Sequence, residues 1–168
     1  ADWNDALDMA SERGESVAFT YAYAGNLIEL ATMIRLLDSV YPNQTVELLE
    51  EIEPLLNDDS SIYNNIEKKH KLLSDYTSRC KHNISGKRLS FSLQFLACNL
   101  IQKARWLKES LRENEWIDFS EDEGWFNSYY DNHGLAVEGL HNDNIRMMLT
   151  GQVFAIMGGT ATDKQIKK

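Results

Sequence analysis

Residues 88–114 read RLSFSLQFLACNLIQKARWLKESLREN, and the period assigned to them decides the fold class. Leu89, Leu93, Leu96, Leu100, Ala104 and Leu107 recur at three- and four-residue steps, with Lys103, Lys108 and Arg112 on the other face. That spacing predicts one amphipathic helix. Towards the N-terminus, SSIYNNIEKKHKLLSDYTSRC (60–80) predicts a second helix capped by Ser60 or Ser61, and HNISGK (82–87) the turn between them. TVELLEEIEPLLN (45–57) carries another helical pattern, with Thr45 as N-cap and Pro54 as the point where it kinks or ends. ESVAFTYAYAGNLIELATMIRLLDSV (15–40) sets Val17, Tyr21, Ala24, Leu27, Ile28, Ala31, Ile34 and Leu37 on one stripe, a long helix ending before Pro42.

Towards the C-terminus the texture changes. EWIDFSEDEGWFNSYYDNHGLAVEG (115–139) is rich in Trp, Tyr, Asp, Asn and Gly, and its WFNSYY and LAVEG pieces, parted by DNHG, read as a short hairpin or irregular loop. IRMMLTGQVFAIMGG (145–159) returns to helical spacing with a Gly-Gly stop. The expected architecture is therefore all-α: paired helices with a β-hairpin-like loop near 124–139, and chemistry on connections at one end.

Composition narrows the function classes. A chain of 168 residues, 43% hydrophobic and 26% charged, can bury one ordinary core. Its net charge of −9 repels a phosphate backbone, so nucleic acid is not an expected partner. No stretch approaches a membrane span, and no basic-then-apolar leader is present. Cys80 and Cys98 lack metal-type spacing, and Cys98, inside FSLQFLACNL, reads as a reduced core thiol; a reducing, cytoplasmic compartment is expected. The sequons at Asn43 and Asn83 carry little weight. A dense motif from the second residue, with no Met before Ala1, leads us to expect a fragment of a larger polypeptide, one whose uncovered faces would self-associate.

That motif lies in ADWNDALDMASERGESVAF (1–19). Asp2, Asp5 and Asp8 recur every third residue, so on a helical turn each would raise the others' pKa. A carboxylic acid kept protonated near neutrality can protonate the alcohol leaving an acetal. Trp3 would offer an apolar face to a sugar ring, and Asn4 would orient hydroxyls. The competing reading is one Asp capping a helix and the others solvated. A calcium loop does not fit the spacing, and no metal site is assigned.

The segment DWND, followed by GES and a long helix, resembles the glycoside phosphorylases of glycoside hydrolase family 94, the cellobiose, cellodextrin and chitobiose phosphorylase group. KARWLKESLRENEWI, EGWFNSYYDNHG and LTGQVFAIMGGTAT are similar to that family's later helix, substrate-side hairpin and Gln-containing helix. Where family members commonly read Gln-x-Trp, this chain has Gln152-Val153-Phe154, which leaves the subfamily and the sugar open. The resemblance implies that residues 1–168 are one incomplete segment of a catalytic (α/α)6 barrel. It implies inverting phosphorolysis of a β-linked oligosaccharide, with Asp5 as general acid, Trp3 in the sugar-binding wall, inorganic phosphate as co-substrate and no cofactor. Asp2 enters only as a member of the motif.

Trp125 and Tyr129 are candidate sugar contacts, and Gln152 a further one; a loop cluster of aromatic rings can equally seal a helix end. Arg146, His133 and His141 are possible local phosphate ligands, but no phosphate site is assigned. An inverting hydrolase would instead need a second carboxylate about 6.5–9.5 Å from the acid, with Glu121, Asp122, Glu123, Asp131 and Glu138 as candidates. A third possibility is a non-catalytic helical module whose Trp/Tyr loop contacts a partner.

Overall fold

A computed structural model describes residues 12–56, 59–81 and 83–168. Trp3, Asn4 and Asp5, together with Asp2 and Asp8, lie outside the described residues. The architecture is mixed α/β, which corrects the all-α, (α/α)6-barrel expectation. Four two-stranded antiparallel sheets stand among the helices of the described residues. In chain order the elements are β1 (Glu15–Ser16), α1 (Ala18–Val40), β2 (Thr45–Leu49), a 3-10 segment (Glu50–Leu56), a 3-10 turn (Ser60–Ile62), α2 (Ile66–Arg79), β3 (Arg88–Ser92) and α3 (Leu93–Asn114). They continue with β4 (Trp116–Asp118), β5 (Gly124–Phe126), β6 (Tyr129–Tyr130), β7 (Gly139–His141), β8 (Asn144–Arg146), α4 (Leu149–Met157) and α5 (Asp163–Ile166). No helix among the described residues is long and apolar enough to cross a membrane.

The chain divides into two compact units, one of Ala1–Ile28 with Lys103–Lys168, the other of Glu29–Gln102. In the second, the expected helix over 45–57 is a strand and a 3-10 segment, and the expected helix over 88–114 opens with a strand. β2 and β3 pair in the register Val46↔Phe91 and Leu48↔Leu89, and these inner positions alternate with exposed Thr45, Glu47, Arg88 and Ser90. The alternation is of period two, and cross-strand apolar pairs hold it. Ser92 makes the switch to helix: its Oγ accepts the Phe95 N–H at 3.1 Å, an N-cap bond to the third helical residue. Asn65, not Ser60 or Ser61, caps α2 by accepting the Lys68 N–H at 2.9 Å. Cys98 is free but exposed, on the outer side of α3, and Cys80 is free and exposed as well. Glu51 is buried and ties the loop before β3 by accepting the Ser85 N–H at 2.7 Å.

In the first unit, Val17, Tyr21, Leu111, Phe126 and Ala155 form one buried cluster, and Ala18, Tyr129 and Val137 another. Phe126 is the hub: the rings of Tyr21 and Trp116 meet it edge-on, with centroids 5.4 and 5.0 Å away. β4 pairs with β5, β7 with β8, and β1 with β6. The last pairing matters most, because β1 lies in the GES triplet and β6 in WFNSYY, more than a hundred residues on.

Candidate active site

Asn127 and Ser128, between β5 and β6, organise this end of the unit. The Ser128 carbonyl accepts from both Val17 N–H and Ala18 N–H, at 2.8 and 3.1 Å, and so anchors the first turn of α1. Ahead of β1, the Glu12 and Arg13 N–H groups donate to Asn132 Oδ1 at 2.9 and 2.8 Å. The chain leading from the DWND segment thus enters the described residues against the WFNSYYDNHG loop. Asp131 shapes that loop: its Oδ1 accepts the N–H groups of His133 and Leu135 at 2.8 and 2.9 Å. The Leu135 bond is the main cause holding its carboxyl below the usual range, and Gly134, at φ 75°, supplies the left-handed turn residue.

Behind the loop sits a polar network that spacing does not reveal. Tyr130 Oη donates to Glu115 Oε2 at 2.8 Å, Asn127 Nδ2 donates to the same oxygen at 3.1 Å, and Tyr21 Oη donates to the Asn127 carbonyl at 2.6 Å. Burial pushes the Tyr130 phenol up to about 12, helped by its bond to Glu115. Burial raises Tyr21 further, with the negative charges of Glu115 and Glu138 adding to it. Both phenols are donors at neutral pH. Tyr21 belongs to the predicted apolar stripe and is fully buried, yet its hydroxyl joins the network.

Glu138 is the distinctive carboxyl of the site. It is 3% exposed and its Oε1 accepts the Met148 N–H at 3.0 Å, capping α4 where Met148's own side chain makes no cap bond. Burial lifts its pKa from 4.5 to about 7, against the opposing pull of Ser128 and the Met148 N–H. Neither Ser128 Oγ nor Glu138 Oε2 closes a hydrogen bond of good geometry. Of the five expected base candidates, Glu121, Asp122 and Glu123 are exposed in the β4–β5 turn, and Asp131 is engaged by its loop. Glu138 alone of them is buried.

The expected sugar contacts are divided between two places. Trp125 and Gln152 line one small cleft of about 180 Å³, with Trp116, Met147 and Ile156. Trp125 is nonetheless 6% exposed, its ring tilted against Phe119 at 5.3 Å and its indole N–H without a hydrogen bond. Gln152 clamps β5 to α4: Oε1 accepts the Phe126 N–H at 2.8 Å, and Nε2 donates to the Phe126 and Met148 carbonyls at 2.7 and 3.1 Å. Tyr129 is buried elsewhere, with Ala18 and Val137. Arg146 and His133 are exposed, and the His141 ring lies 3.4 Å from the Glu138 carbonyl. Among the described residues, no three His, Cys, Asp or Glu side chains gather as metal ligands.

No protein-family model matches this chain, and no curated protein matches it either.

Proposed function

We infer that the chain belongs to an enzyme of inverting phosphorolysis acting on β-linked glucosides. Phosphate attacks the anomeric carbon, the C–O bond to the leaving sugar breaks, and Asp5 gives that oxygen its proton. The products are a sugar 1-phosphate and the shortened saccharide. No enzymic base is required, because phosphate is itself the anionic nucleophile. In this reading the co-substrate is inorganic phosphate, there is no cofactor, and the setting is cytoplasmic.

The observation that carries it is the meeting of the two halves of the family-like sequence. GES, directly after DWND and its short acidic loop, forms β1 and pairs with β6 of WFNSYY, in the register Glu15↔Tyr130 and Ser16↔Tyr129. Segments that share a substrate lie near one another in the fold, and the pairing of β1 with β6 is consistent with that. Trp3 and Asn4, with the cleft of Trp125 and Gln152, are assigned to the sugar, and Tyr129 to the buried support of the same loop.

The test is turnover of β-linked glucose and N-acetylglucosamine oligosaccharides, with and without phosphate, by the polypeptide carrying these residues. We expect a phosphate-dependent sugar 1-phosphate, and an Asp5→Asn variant that folds normally but turns over about 10²–10⁴-fold more slowly, the usual worth of a general acid. Full activity in Asp5→Asn on a substrate with a poor leaving group would end the general-acid assignment. A second reading, inverting hydrolysis, is favoured by one observation: the buried Glu138, with a pKa of about 7, has the protonation behaviour of a base. Free reducing sugar released without regard to phosphate, and lost in Glu138→Gln, would select it.

A further inference from the structure

The unit of residues 29–102 contains a cleft of about 720 Å³ that the phosphorolysis reading does not use. Its size falls within the roughly 300–1,000 Å³ of small-molecule sites. One wall is the pair Phe91 and Phe95, at the junction of β3 and α3, with ring centroids 5.9 Å apart and planes at 16°. Leu56, Ile62 and Leu72 complete an apolar lining, each half-buried and so still open to an occupant.

The charged groups around the cleft differ in how far they are engaged. Arg79 is held between Glu53 at 3.4 Å and Asp75 at 3.2 Å. Asp59 accepts the Ser61 N–H at 3.0 Å, and its bonds to Ser61 hold its carboxyl below the usual range. The Lys68 ammonium donates to Ser61 Oγ at 2.9 Å. Lys71 also lines the cleft and is exposed, and its ammonium makes no hydrogen bond or ion pair among the described residues. The cleft therefore combines an apolar wall with one cation that is unengaged among the described residues, while Glu53 and Asp75 are matched by Arg79 and Asp59 lies under the charge of Lys68.

We propose that this cleft binds a small, flat, apolar monoanion, an aromatic carboxylate, with its ring on the Phe91–Phe95 wall and its carboxylate at Lys71. A neutral ring would leave Lys71 unused, and a polyphosphate would find only that one ammonium unengaged among the described residues, since Arg79 is held by Glu53 and Asp75.

The test is calorimetric titration of the full chain with 2-naphthoate and with its neutral isostere 2-naphthamide. Naphthoate should bind at one saturable site and more tightly than the amide. Lys71→Gln should weaken naphthoate about two- to fivefold, the worth of one solvent-exposed ion pair, and leave the amide unchanged. Phe95→Leu, which keeps an apolar side chain at the helix start, should weaken both ligands. Because Lys71 is exposed, its substitution leaves the fold intact, as circular dichroism would verify. The proposal is overturned if naphthoate shows no saturable binding, if Lys71→Gln leaves its affinity unchanged, or if the amide binds as well as the acid. A neutral β-glucan oligosaccharide that occupies the cleft in place of naphthoate would likewise replace this ligand class.

Discussion

Glu138 sits where a carboxylate is least stable, and its titration makes that measurable. Its pKa rises from 4.5 to about 7 on folding, so the folded chain holds this proton more tightly than the unfolded one. The sign follows by linkage: the group's contribution to stability is fully present below about pH 4.5 and is lost as pH rises through about 7. At about 1.4 kcal/mol per pKa unit, the loss is on the order of 3 kcal/mol. Glu138→Gln retains an oxygen for the Met148 N–H and brings an amide that can donate to Ser128 Oγ. The variant should match the native chain near pH 4 and exceed it in stability at pH 8, in paired denaturant melts. A gap that does not change with pH, or a Gln variant less stable at pH 8, would mean that the carboxylate has a stabilising partner. A buried charge with a stability cost is the kind of residue that function retains, and the same variant read for turnover decides between the two reactions. Tyr21 and Tyr130 stand on the opposite footing. Both phenols are held above their ordinary pKa, so they remain proton donors across this whole range.

At the scale of elements, α1 and α4 cross where neither can carry a side chain. A Cβ on Gly158 would lie 2.2 Å from the Tyr21 carbonyl oxygen, and one on Gly25 would lie 2.7 Å from Gly158 Cα. The obstacles are backbone, so no rotamer change relieves them. Gly158→Ala should destabilise the chain by at least the ~1–3 kcal/mol of an overpacked core, seen as a lower urea midpoint. Gly86→Ala, in open space at φ 73°, should cost only about 1 kcal/mol, the strain of a left-handed Ala. Equal losses at the two sites would refute the close crossing. The Gly-Gly stop was legible in the sequence, and so were the body of α1 and that of α3. What misled at 45–49 and 88–92 was two periods sharing the same residues: Leu89 and Leu93 fit a helical step, while Leu89 and Phe91 fit a strand. The partner that decides between them lies some forty residues away, as in Thr45↔Ser92, beyond any local window. The site divides in the same way. Trp125 stood out by the aromatic composition of its loop and Gln152 by the family resemblance, and the two share a cleft, whereas the Glu115–Asn127–Tyr130–Tyr21 network exists only through tertiary pairing, and Tyr21 in an apolar stripe reads as core. Glu138 stood among five acids that nothing local distinguished; burial singles it out.

At the scale of the whole chain, the unit that holds the candidate site is discontinuous, drawn from Ala1–Ile28 and Lys103–Lys168. Its core depends on that arrangement: Val17, Ala18, Tyr21 and Ala24, all buried, come from the first part, and Leu111, Phe126, Tyr129 and Ala155 from the second. Hydrogen bonds cross the same divide, from Val17 and Ala18 to Ser128 and from Tyr21 to Asn127. Contacts this distant in sequence form late and only if both partners are present. A chain beginning at residue 29 would leave Phe126 without the Tyr21 ring and the Asn127 carbonyl without its donor, removing several buried apolar groups at ~1.5–3 kcal/mol each. Such losses exceed a large part of ordinary domain stability. Hydrogen exchange on that truncated chain should therefore show protection lost through β4, β5, β6 and α4, while the amides of the β2–β3 ladder, all within residues 29–102, remain protected. Retained protection in β5 and α4 would show that the C-terminal part folds by itself. The same dependence bears on the proposed function, since Glu12 and Arg13, which follow the segment carrying Asp5 in the sequence, are bonded to Asn132. An Asn132→Ala variant removes both of those bonds and leaves the buried core untouched. If the two segments serve one substrate, it should lower turnover with little change in the denaturant midpoint.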